Sequence, residues 1–478
     1  MNKGINKLFA LIIIFLFSGL CYSCKKNNDV NDPPQQHDIT VNFWLTDPSQ
    51  NILFTEQQSI NSSAATSGVA TITVNPDQSY QEMDGFGFAL TGGSAYHIYN
   101  MSPAARKQLL TEIFDINDKN IGTSYLRVSI GASDLDSKVF SYNDLPAGET
   151  DVQMNKFSLA EDKKYVIPVL KEILQINPDI KILGSPWSAP LWMKTNGRSI
   201  GGSLKPEYYS AYAKYFVKYI QGMKEEGITI DAITVQNEPL HPGNNPSMYM
   251  PASEQAAFIK ASLGPGFKNT GITSKIIIYD HNADRVDYPM SILNDPEAKK
   301  YIDGSAFHLY GGEISALTQL HNAHPDKNIY FTEQWVGAGS NFADNLKWHT
   351  SELIIGAPRN WCRTVIEWNL AADQNQDPHT EGGCDRCLGA VTIQGDNVTR
   401  NSAYYIIAHA SKFVRPGSKR IESNIPADLP NIAYITPSGS KVLIVLNNGG
   451  IKKYFHIKEG EKTVLASLSP GSVGTFTW

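Results

Sequence analysis

The sequence predicts an α/β fold: a (β/α)8 TIM barrel with a side β-sandwich domain built from both chain ends. Strand-like and helix-like segments alternate across residues 81–414, and this alternation is typical of a parallel barrel. Two of the predicted strands end in a glutamate, Glu238 and Glu333. Short strands separated by turn residues precede and follow this region, as expected for a β-sandwich.

The barrel strands are predicted from short runs of apolar and β-branched residues. They number eight and cover residues 85–90, 123–129, 180–187, 232–236, 275–280, 304–309, 328–333 and 364–368. Helical spacing predicts helices at 102–114, 161–175, 206–226, 254–263, 289–299, 314–321 and 345–355. On this count Glu238 ends strand four and Glu333 ends strand seven.

The stretch that contains the first barrel strand is rich in glycine, from Gln81 to Gly93. It does not match G-x-G-x-x-G, because position 90 is leucine, so it predicts no dinucleotide site. We expect these glycines to let the strand pack closely against its neighbours.

Both chain ends are predicted to form the sandwich. Residues 39–80 alternate apolar and polar side chains and supply its N-terminal strands, and residues 415–478 supply the C-terminal strands. The catalytic barrel is therefore predicted at 81–414.

The first residues are typical of an export signal. Residues 1–23 combine Lys3 and Lys7 with an apolar run at 8–17, which is too short for a resident membrane span. Leu20 to Cys24 resembles a loose lipoprotein cleavage box, so we expect a lipoprotein signal peptide with Cys24 as the lipid-anchored residue. The alternative is ordinary secretion with cleavage nearby.

The polar residues 24–38 then predict a flexible tether. We expect an exported outer-membrane lipoprotein, without knowing which side of that membrane the body faces.

Composition limits the partners. The formal charge of −6 argues against a nucleic-acid partner, and we expect a monomer. Cys384 and Cys387 form one Cys-x-x-Cys, which is too little for a zinc site, so no metal is predicted. The pair predicts a local disulfide or two packed thiols, and Cys362 has no evident partner.

Glutamates at the ends of two buried strands suit glycoside hydrolysis. One carboxyl must give a proton to the leaving oxygen, and the other must attack the anomeric carbon or activate water. The structural alternative for either residue is an ion-paired glutamate at a strand end. This chemistry requires no cofactor.

Several motifs, in the same order along the chain, resemble glycoside hydrolase family 30, which includes glucosylceramidases and β-1,6-glucanases. The resemblance is carried by QEMDGFGFA (81–89), LRVSIGASD (126–134), SPWSAPLWMK (185–194), QNEP (236–239), FHLY (307–310), FTEQ (331–334) and KFVRPG (412–417). It spans about residues 75–478 and implies a retaining mechanism, with the acid/base on strand four and the nucleophile on strand seven. The strand count had placed both glutamates there independently.

The resemblance implies a role for each matching residue. Glu238 would be the acid/base, with a raised pKa, and Glu333 the ionised nucleophile; the two should titrate as a coupled pair. Asn237 would donate to the sugar 2-hydroxyl, and Arg127 would orient Glu333. The remaining substrate-binding residues would be Asp134, Trp187, His308, Tyr310 and Trp368, with Trp335 a weaker candidate. For each of these the alternative is a structural role in the core or in a loop.

The substrate class expected from the resemblance is a β-glucoside. The long acid-rich insert at 373–387 is more similar to the β-1,6-glucanase branch, so β-1,6-glucan is favoured. A glucosylceramidase or an exo-β-glucosidase is the alternative. A non-catalytic, surface glycan-binding lipoprotein is an alternative of another class.

Overall fold

A computed structural model describes residues 39–478. The predicted signal peptide, the tether and Cys24 lie outside the described residues. The (β/α)8 barrel is confirmed, with eight parallel strands that close on themselves. We label them β1 (Gly85–Leu90), β2 (Tyr125–Ser129), β3 (Lys181–Ser185), β4 (Ala232–Thr234), β5 (Lys275–Asn282), β6 (Gly304–His308), β7 (Asn328–Glu333) and β8 (Cys362–Asn369).

The helices between these strands follow the predicted order. They are Gly92–Asn100, Pro103–Phe114, Val166–Ile176, Tyr209–Glu225, Ala252–Phe258, Gly264–Thr270, Asp287–Leu293, Pro296–Lys299, Leu317–Ala323, Phe342–His349, Ala357–Arg359 and Ser402–Ser411. Ser102 caps Pro103–Phe114 by accepting a hydrogen bond from the backbone N–H of Ala105. The helix predicted at 289–299 is interrupted, because Asp295 caps a new helix that begins at Pro296.

The interior of the barrel is filled by one layer of apolar side chains, which are Tyr125, Leu183, Ala232, Ile277, Ala306, Tyr330 and Ile366. On β1 a glycine is needed at this contact. A Cβ on Gly87 would lie 1.8 Å from the carbonyl oxygen of Tyr125. Close packing of β1 therefore depends on the absence of a side chain, as the sequence predicted.

The sandwich is built from both chain ends, as predicted. Thr40–Asp47 pairs with Val473–Thr477 near the C-terminus. Ala70–Glu82 joins the two sheets, because its first residues pair with Lys453–Glu459 and its later residues with Lys419–Ser423. The remaining strands are Ile52–Asn61, Asn431–Ile435, Lys441–Leu446 and Lys462–Leu468, of which the last was not predicted.

A long connection leaves β8 and returns across the barrel mouth. Residues 373–390, here called the strand-eight loop, contain the disulfide between Cys384 and Cys387. Cys387–Leu388 pairs with Val336–Gly337, which follows β7. The loop thus lies beside the carboxyl ends of the barrel strands, where active sites of this fold are built. Within residues 39–478, no helix is long and apolar enough to span a bilayer.

Candidate active site

The two glutamates predicted from the sequence meet at the mouth of the barrel. Glu333 is the last residue of β7, and Glu238 follows β4. A carboxylate oxygen of one lies within 4.8 Å of a carboxylate oxygen of the other. Both side chains are almost completely buried. Glu238 has a φ of 43°, which is unusual for a residue with a side chain, and its N–H donates to the carbonyl of Asp280 at 3.0 Å.

Arg127 on β2 joins three groups of the site. Its guanidinium is fully buried and pairs through Nη1 with Glu333. Its Nη2 donates to Asp280 at 2.8 Å and to Asn237 Oδ1 at 2.7 Å. A planar, permanently charged fork suits this arrangement, because it binds several acceptors with fixed geometry. The predicted contact between Arg127 and Glu333 is therefore present.

His308 at the end of β6 lies between the two glutamates. Its Nδ1 is 3.1 Å from Glu238 Oε1 and 3.8 Å from Glu333 Oε1, and its Nε2 is 3.1 Å from Asp280 Oδ1. Burial opposes a charge on this imidazole. Glu333, Asp280 and Glu238 outweigh that effect and raise the pKa of His308 to about 9.

Asp280 on β5 is a buried carboxylate that the sequence analysis did not identify. It contacts Arg127 and His308 and accepts hydrogen bonds from Thr332 Oγ1 at 2.6 Å and Thr234 Oγ1 at 2.7 Å. Burial alone would raise its pKa, but Arg127 and His308 lower the pKa well below its usual range. Asp280 is thus a fixed negative charge behind the two glutamates.

The pKa directions of the glutamates differ from the sequence expectation. Burial raises the pKa of both. For Glu238 the hydrogen bond and charge of His308 outweigh burial, and the net pKa is lowered. For Glu333 the charges of His308 and Arg127 do not offset burial and the neighbouring Glu238, so its pKa is raised. The reason is the position of His308, whose Nδ1 lies 3.1 Å from Glu238 Oε1 and 3.8 Å from Glu333 Oε1.

Aromatic side chains form one wall of the site. The rings of Trp187 and Trp368 lie 5.3 Å apart, and the guanidinium of Arg127 lies 4.9 Å from the Trp187 ring. Tyr310 donates its hydroxyl to Glu333 Oε1 at 2.9 Å. These predicted residues are therefore brought together around Glu333.

Asp134 follows β2 and faces the same cavity as the glutamates. Its Oδ2 accepts a hydrogen bond from the backbone N–H of Cys384 at 3.3 Å. Burial, followed by the charge of Glu333, raises the pKa of Asp134 to about 7. Asp134 thus lines the cavity and also holds the strand-eight loop, and its binding of sugar hydroxyls stays a prediction.

The cavity that contains these groups has a volume of about 460 Å³, which is within the range for small-ligand sites. Its lining includes residues that the sequence analysis did not select, namely His241, Asn244, His281, Asn282, Cys384 and Cys387. Trp335, the weaker candidate, also lines it. His241 and Asn244 follow β4, and His281 and Asn282 are the last two residues of β5, so inspection of the residues at and beyond each predicted strand end would have found them.

One group of side chains in the described part of the chain has the spacing of a metal site: Glu238, His308 and Glu333. Both nitrogens of His308 already face carboxylates at 3.1 Å. Its contacts are therefore those of a hydrogen-bonded imidazole between carboxylates.

Comparison with known proteins identifies the family. The glycosyl hydrolase family 30 TIM-barrel domain matches residues 83–414, and its beta-sandwich domain matches residues 417–476. The chain belongs to glycosyl hydrolase family 30. It is therefore a retaining glycoside hydrolase, as the sequence predicted.

Members of family 30 with known activities are similar over most of their length. An endo-1,6-beta-D-glucanase of Neurospora crassa is 35% identical over 413 residues, covering 82% of this chain and 84% of the relative. A solved endo-beta1,6-glucanase is 38% identical with a TM-score of 0.86, covering 92% of this chain and 98% of that one. The lysosomal acid glucosylceramidase of Mus musculus is 30% identical over 441 residues, covering 85% of this chain and 83% of the relative.

Proposed function

We propose that this protein hydrolyses β-1,6-glucan by double displacement, with Glu333 as nucleophile and Glu238 as acid/base. One observation carries the proposal: the two carboxyls face each other with oxygens within 4.8 Å. Retaining glycosidases place their carboxyls about 5–5.5 Å apart, whereas inverting enzymes need room for a water molecule.

In the first step an oxygen of Glu333 attacks the anomeric carbon. The bond to the glycosidic oxygen breaks, its electron pair stays on that oxygen, and Glu238 protonates it. In the second step water attacks the same carbon and gives a proton to Glu238, and the ester bond to Glu333 breaks. Arg127 and Tyr310 contact opposite oxygens of Glu333 and hold its carboxylate in place.

His308 supplies the proton that Glu238 needs. In this proposal His308 Nδ1–H donates a 3.1 Å hydrogen bond to Glu238 Oε1. A bound sugar excludes water from the two buried carboxylates and favours the neutral acid. Transfer of the proton leaves a neutral imidazole, whose Nε2–H still donates to Asp280.

The glycone is placed against Trp187 and Trp368, with Asp134 accepting from its hydroxyls. The Oδ1 of Asn237 is occupied by Arg127 at 2.7 Å, so its amide Nδ2 is the atom that donates to the 2-hydroxyl. Hydrogen bonds to that hydroxyl strengthen in the transition state.

Two facts support β-1,6-glucan over a glycolipid. The two endo-1,6-β-glucanases are 35% and 38% identical to this chain, and the glucosylceramidase is 30% identical. Beyond Glu238 the cavity is lined by His241, Asn244, His281 and Asn282. These polar side chains suit a second sugar as leaving group better than a lipid chain.

The test uses pustulan, laminarin, glucosylceramide and p-nitrophenyl β-glucoside. We expect oligosaccharides from pustulan, with the β-anomer formed first by proton NMR. Release of glucose from the aryl glucoside alone would support an exo-β-glucosidase, and cleavage of glucosylceramide alone would support a glucosylceramidase. Pustulan binding without new reducing ends would support a non-catalytic glycan-binding protein.

Substitution of each glutamate tests which one is the nucleophile and which one is the acid/base. Glu333→Gln should abolish turnover of every substrate. Glu238→Gln should lose about 10²–10⁴-fold on pustulan, the usual contribution of a general acid, and recover with azide on an activated aryl glucoside. Glu367 on β8 is a matched control, because it is a buried glutamate paired with His349 at 2.7 Å. Recovery with azide in Glu333→Gln, and none in Glu238→Gln, would contradict the assignment.

We also propose that Cys24 anchors the protein to the outer membrane. The support is the sequence pattern of residues 1–24 alone. Cells grown with radiolabelled palmitate should label the wild type and Cys21→Ser, and should not label Cys24→Ser. Labelled Cys24→Ser, or soluble secreted wild type, would contradict the anchor.

A further inference from the structure

A second cavity lies at the same mouth of the barrel, behind the strand-eight loop. It has a volume of about 290 Å³ and is lined by the loop after β2, the start of the next helical segment and Pro378. Asp134 and Asp136 belong to one loop, but Asp134 lines the catalytic cavity and Asp136 lines this one. The two cavities are therefore neighbours that share a loop.

Two buried carboxyls face this cavity, Asp136 and Asp162, with 7% and 3% of their surface exposed. Asp136 Oδ2 accepts from the N–H and the hydroxyl of Ser133 at 2.8 and 3.1 Å. Asp162 Oδ2 accepts from Tyr142 at 2.6 Å. The second oxygen of each accepts no hydrogen bond from residues 39–478, and neither carboxyl has an ion-pair partner there.

These two oxygens belong to almost completely buried side chains and reach the cavity surface, so a hydroxyl in the cavity can supply the hydrogen bond that each lacks. Burial raises the pKa of Asp136 to about 7 and the pKa of Asp162 to about 8. Near neutral pH such carboxyls can accept or donate a hydrogen bond. The side of Asp136 Oδ1 is left open by Gly92, where any Cβ would lie 1.6 Å from that oxygen.

Aromatic rings complete the walls. Tyr96, Phe140 and Tyr165 line the cavity, and the rings of Tyr96 and Tyr165 meet edge to face at 5.2 Å. Tyr96 is 42% exposed at the opening. Aromatic faces beside hydrogen-bonding carboxyls match a sugar, which offers C–H groups on its ring faces and hydroxyls on its rim.

We propose that this cavity is a second carbohydrate-binding site, which takes a glucosyl unit of the β-glucan chain. The choice of sugar rests on the proposed function. A cation fits less well, because calcium needs six to eight oxygen ligands. Asp136 and Asp162 offer only two free carboxyl oxygens, because both oxygens of Glu161, the third lining carboxylate, pair with Lys138 and Lys164.

The experiment separates the two sites by blocking the first. A cyclitol epoxide of β-glucose configuration should esterify Glu333, and mass spectrometry should show one added label. The labelled protein is then titrated calorimetrically with a β-1,6-linked glucotriose. We expect saturable binding of one glucotriose per protein.

Tyr96→Ala tests whether that binding uses the second cavity, and Tyr99→Ala is its matched control. Tyr99 lies on the same helix, is 38% exposed and also packs on Tyr165, but it does not line the cavity. Loss of the aromatic face should weaken binding about five- to tenfold in Tyr96→Ala. Tyr99→Ala and Tyr96→Phe should bind as the wild type does.

Absence of binding to labelled protein, or equal binding by Tyr96→Ala and Tyr99→Ala, would overturn the second site while leaving the hydrolase proposal intact. Failure of the epoxide to label Glu333 would instead count against the nucleophile. In that case the same tyrosine comparison in a Glu238→Gln and Glu333→Gln double variant decides the second site, because neither carboxyl of the catalytic cavity is then available for turnover.

Discussion

His308 Nδ1 lies 3.1 Å from Glu238 Oε1, and this contact links the catalytic acid to a buried ion network. On its other side His308 contacts Asp280, which is itself fixed by Arg127. In the proposed mechanism the proton needed by Glu238 therefore comes from a neighbour whose own position is set by Arg127 on β2 and Asp280 on β5.

Replacement of His308 should impair the acid step selectively. His308→Asn keeps a polar side chain but removes the titrating group. We expect a loss of about 10²–10⁴-fold on pustulan, and a much smaller loss on an aryl glucoside whose leaving group needs no proton. In the wild type, turnover of pustulan should fall as the pH rises through about 9, where His308 loses its proton. Measurement of kcat against pH for both substrates tests this.

His281 is the matched control for that variant. Its Nε2 lies 4.0 Å from Glu238 Oε1, and burial lowers its pKa to about 4. It is therefore neutral at working pH and has no proton to transfer to Glu238. An equal effect of His281→Asn and His308→Asn on the two substrates would contradict the proton-supply role.

The same pKa shift predicts how stability depends on pH. His308 has a folded pKa of about 9 against 6.5 for the free side chain. Its charged form therefore stabilises the fold fully below pH 6.5, and this contribution is lost as the pH rises to about 9. A shift of this size corresponds to about 3 kcal/mol. The free energy of unfolding from urea titrations should fall across pH 6.5–9 in the wild type and vary less in His308→Asn. If the free energy of unfolding changed with pH in the same way in the wild type and in His308→Asn, the raised pKa of His308 would be contradicted.

Much of this site was predictable because it lies at strand ends. The apolar run of β7 ends at Glu333, so its position at the barrel mouth followed from the strand count. The pKa directions were not predictable, since they depend on His308, which is 70 residues from Glu238 in the chain. Asp280 is the last residue of the predicted strand 275–280, so the strand-end criterion that selected Glu333 applied to it as well; it was missed because no motif marked it.

The sequence patterns predicted the loops and the short strands of the sandwich less well than the barrel strands. Lys462–Leu468 was missed although Val464, Ala466 and Leu468 alternate inward, because the exposed Leu465 between them interrupts the apolar–polar alternation. The path of the strand-eight loop depends on distant contacts, such as Ala338 N donating to Arg386 O at 2.8 Å. Periodicity reports on burial within one element and holds no information about such pairings.

Arg127→Lys should separate charge from geometry in the site. Lysine keeps the positive charge, but it cannot reach Glu333, Asp280 and Asn237 together. Each buried acceptor left without a donor costs about 1–3 kcal/mol, so we expect a lower free energy of unfolding together with a large fall in kcat. Denaturant titrations and steady-state kinetics measure the two effects.

Arg363→Lys is the control for Arg127→Lys. Arg363 lies on the same barrel, at β8, and binds Asp84 Oδ1 at 2.7 Å just before β1. That position is at the opposite end of the strands from the glutamates. We expect Arg363→Lys to change stability alone. Unchanged kcat in Arg127→Lys would show that charge suffices and that the fork is not required.

Reduction of the Cys384–Cys387 disulfide should act on substrate binding. Cys384 donates its N–H to Asp134 at 3.3 Å, and both cysteines line the catalytic cavity. Without the disulfide, this part of the strand-eight loop is held less firmly, and Asp134 loses a fixed partner. Loss of one such hydrogen bond costs about 0.5–1.5 kcal/mol, so KM for pustulan should rise about two- to tenfold. The value of kcat should change little, because Glu238, Glu333 and His308 lie on the barrel strands or just beyond them.

A double variant, Cys384→Ser with Cys387→Ser, should reproduce the effect of a reductant and should no longer respond to it. Cys362→Ala provides the matched control, since Cys362 is a buried free thiol at the start of β8. That variant should keep the wild-type KM and the wild-type response to reduction. A fall in kcat with unchanged KM in the double variant would place the disulfide in the chemical step and contradict its role in holding Asp134.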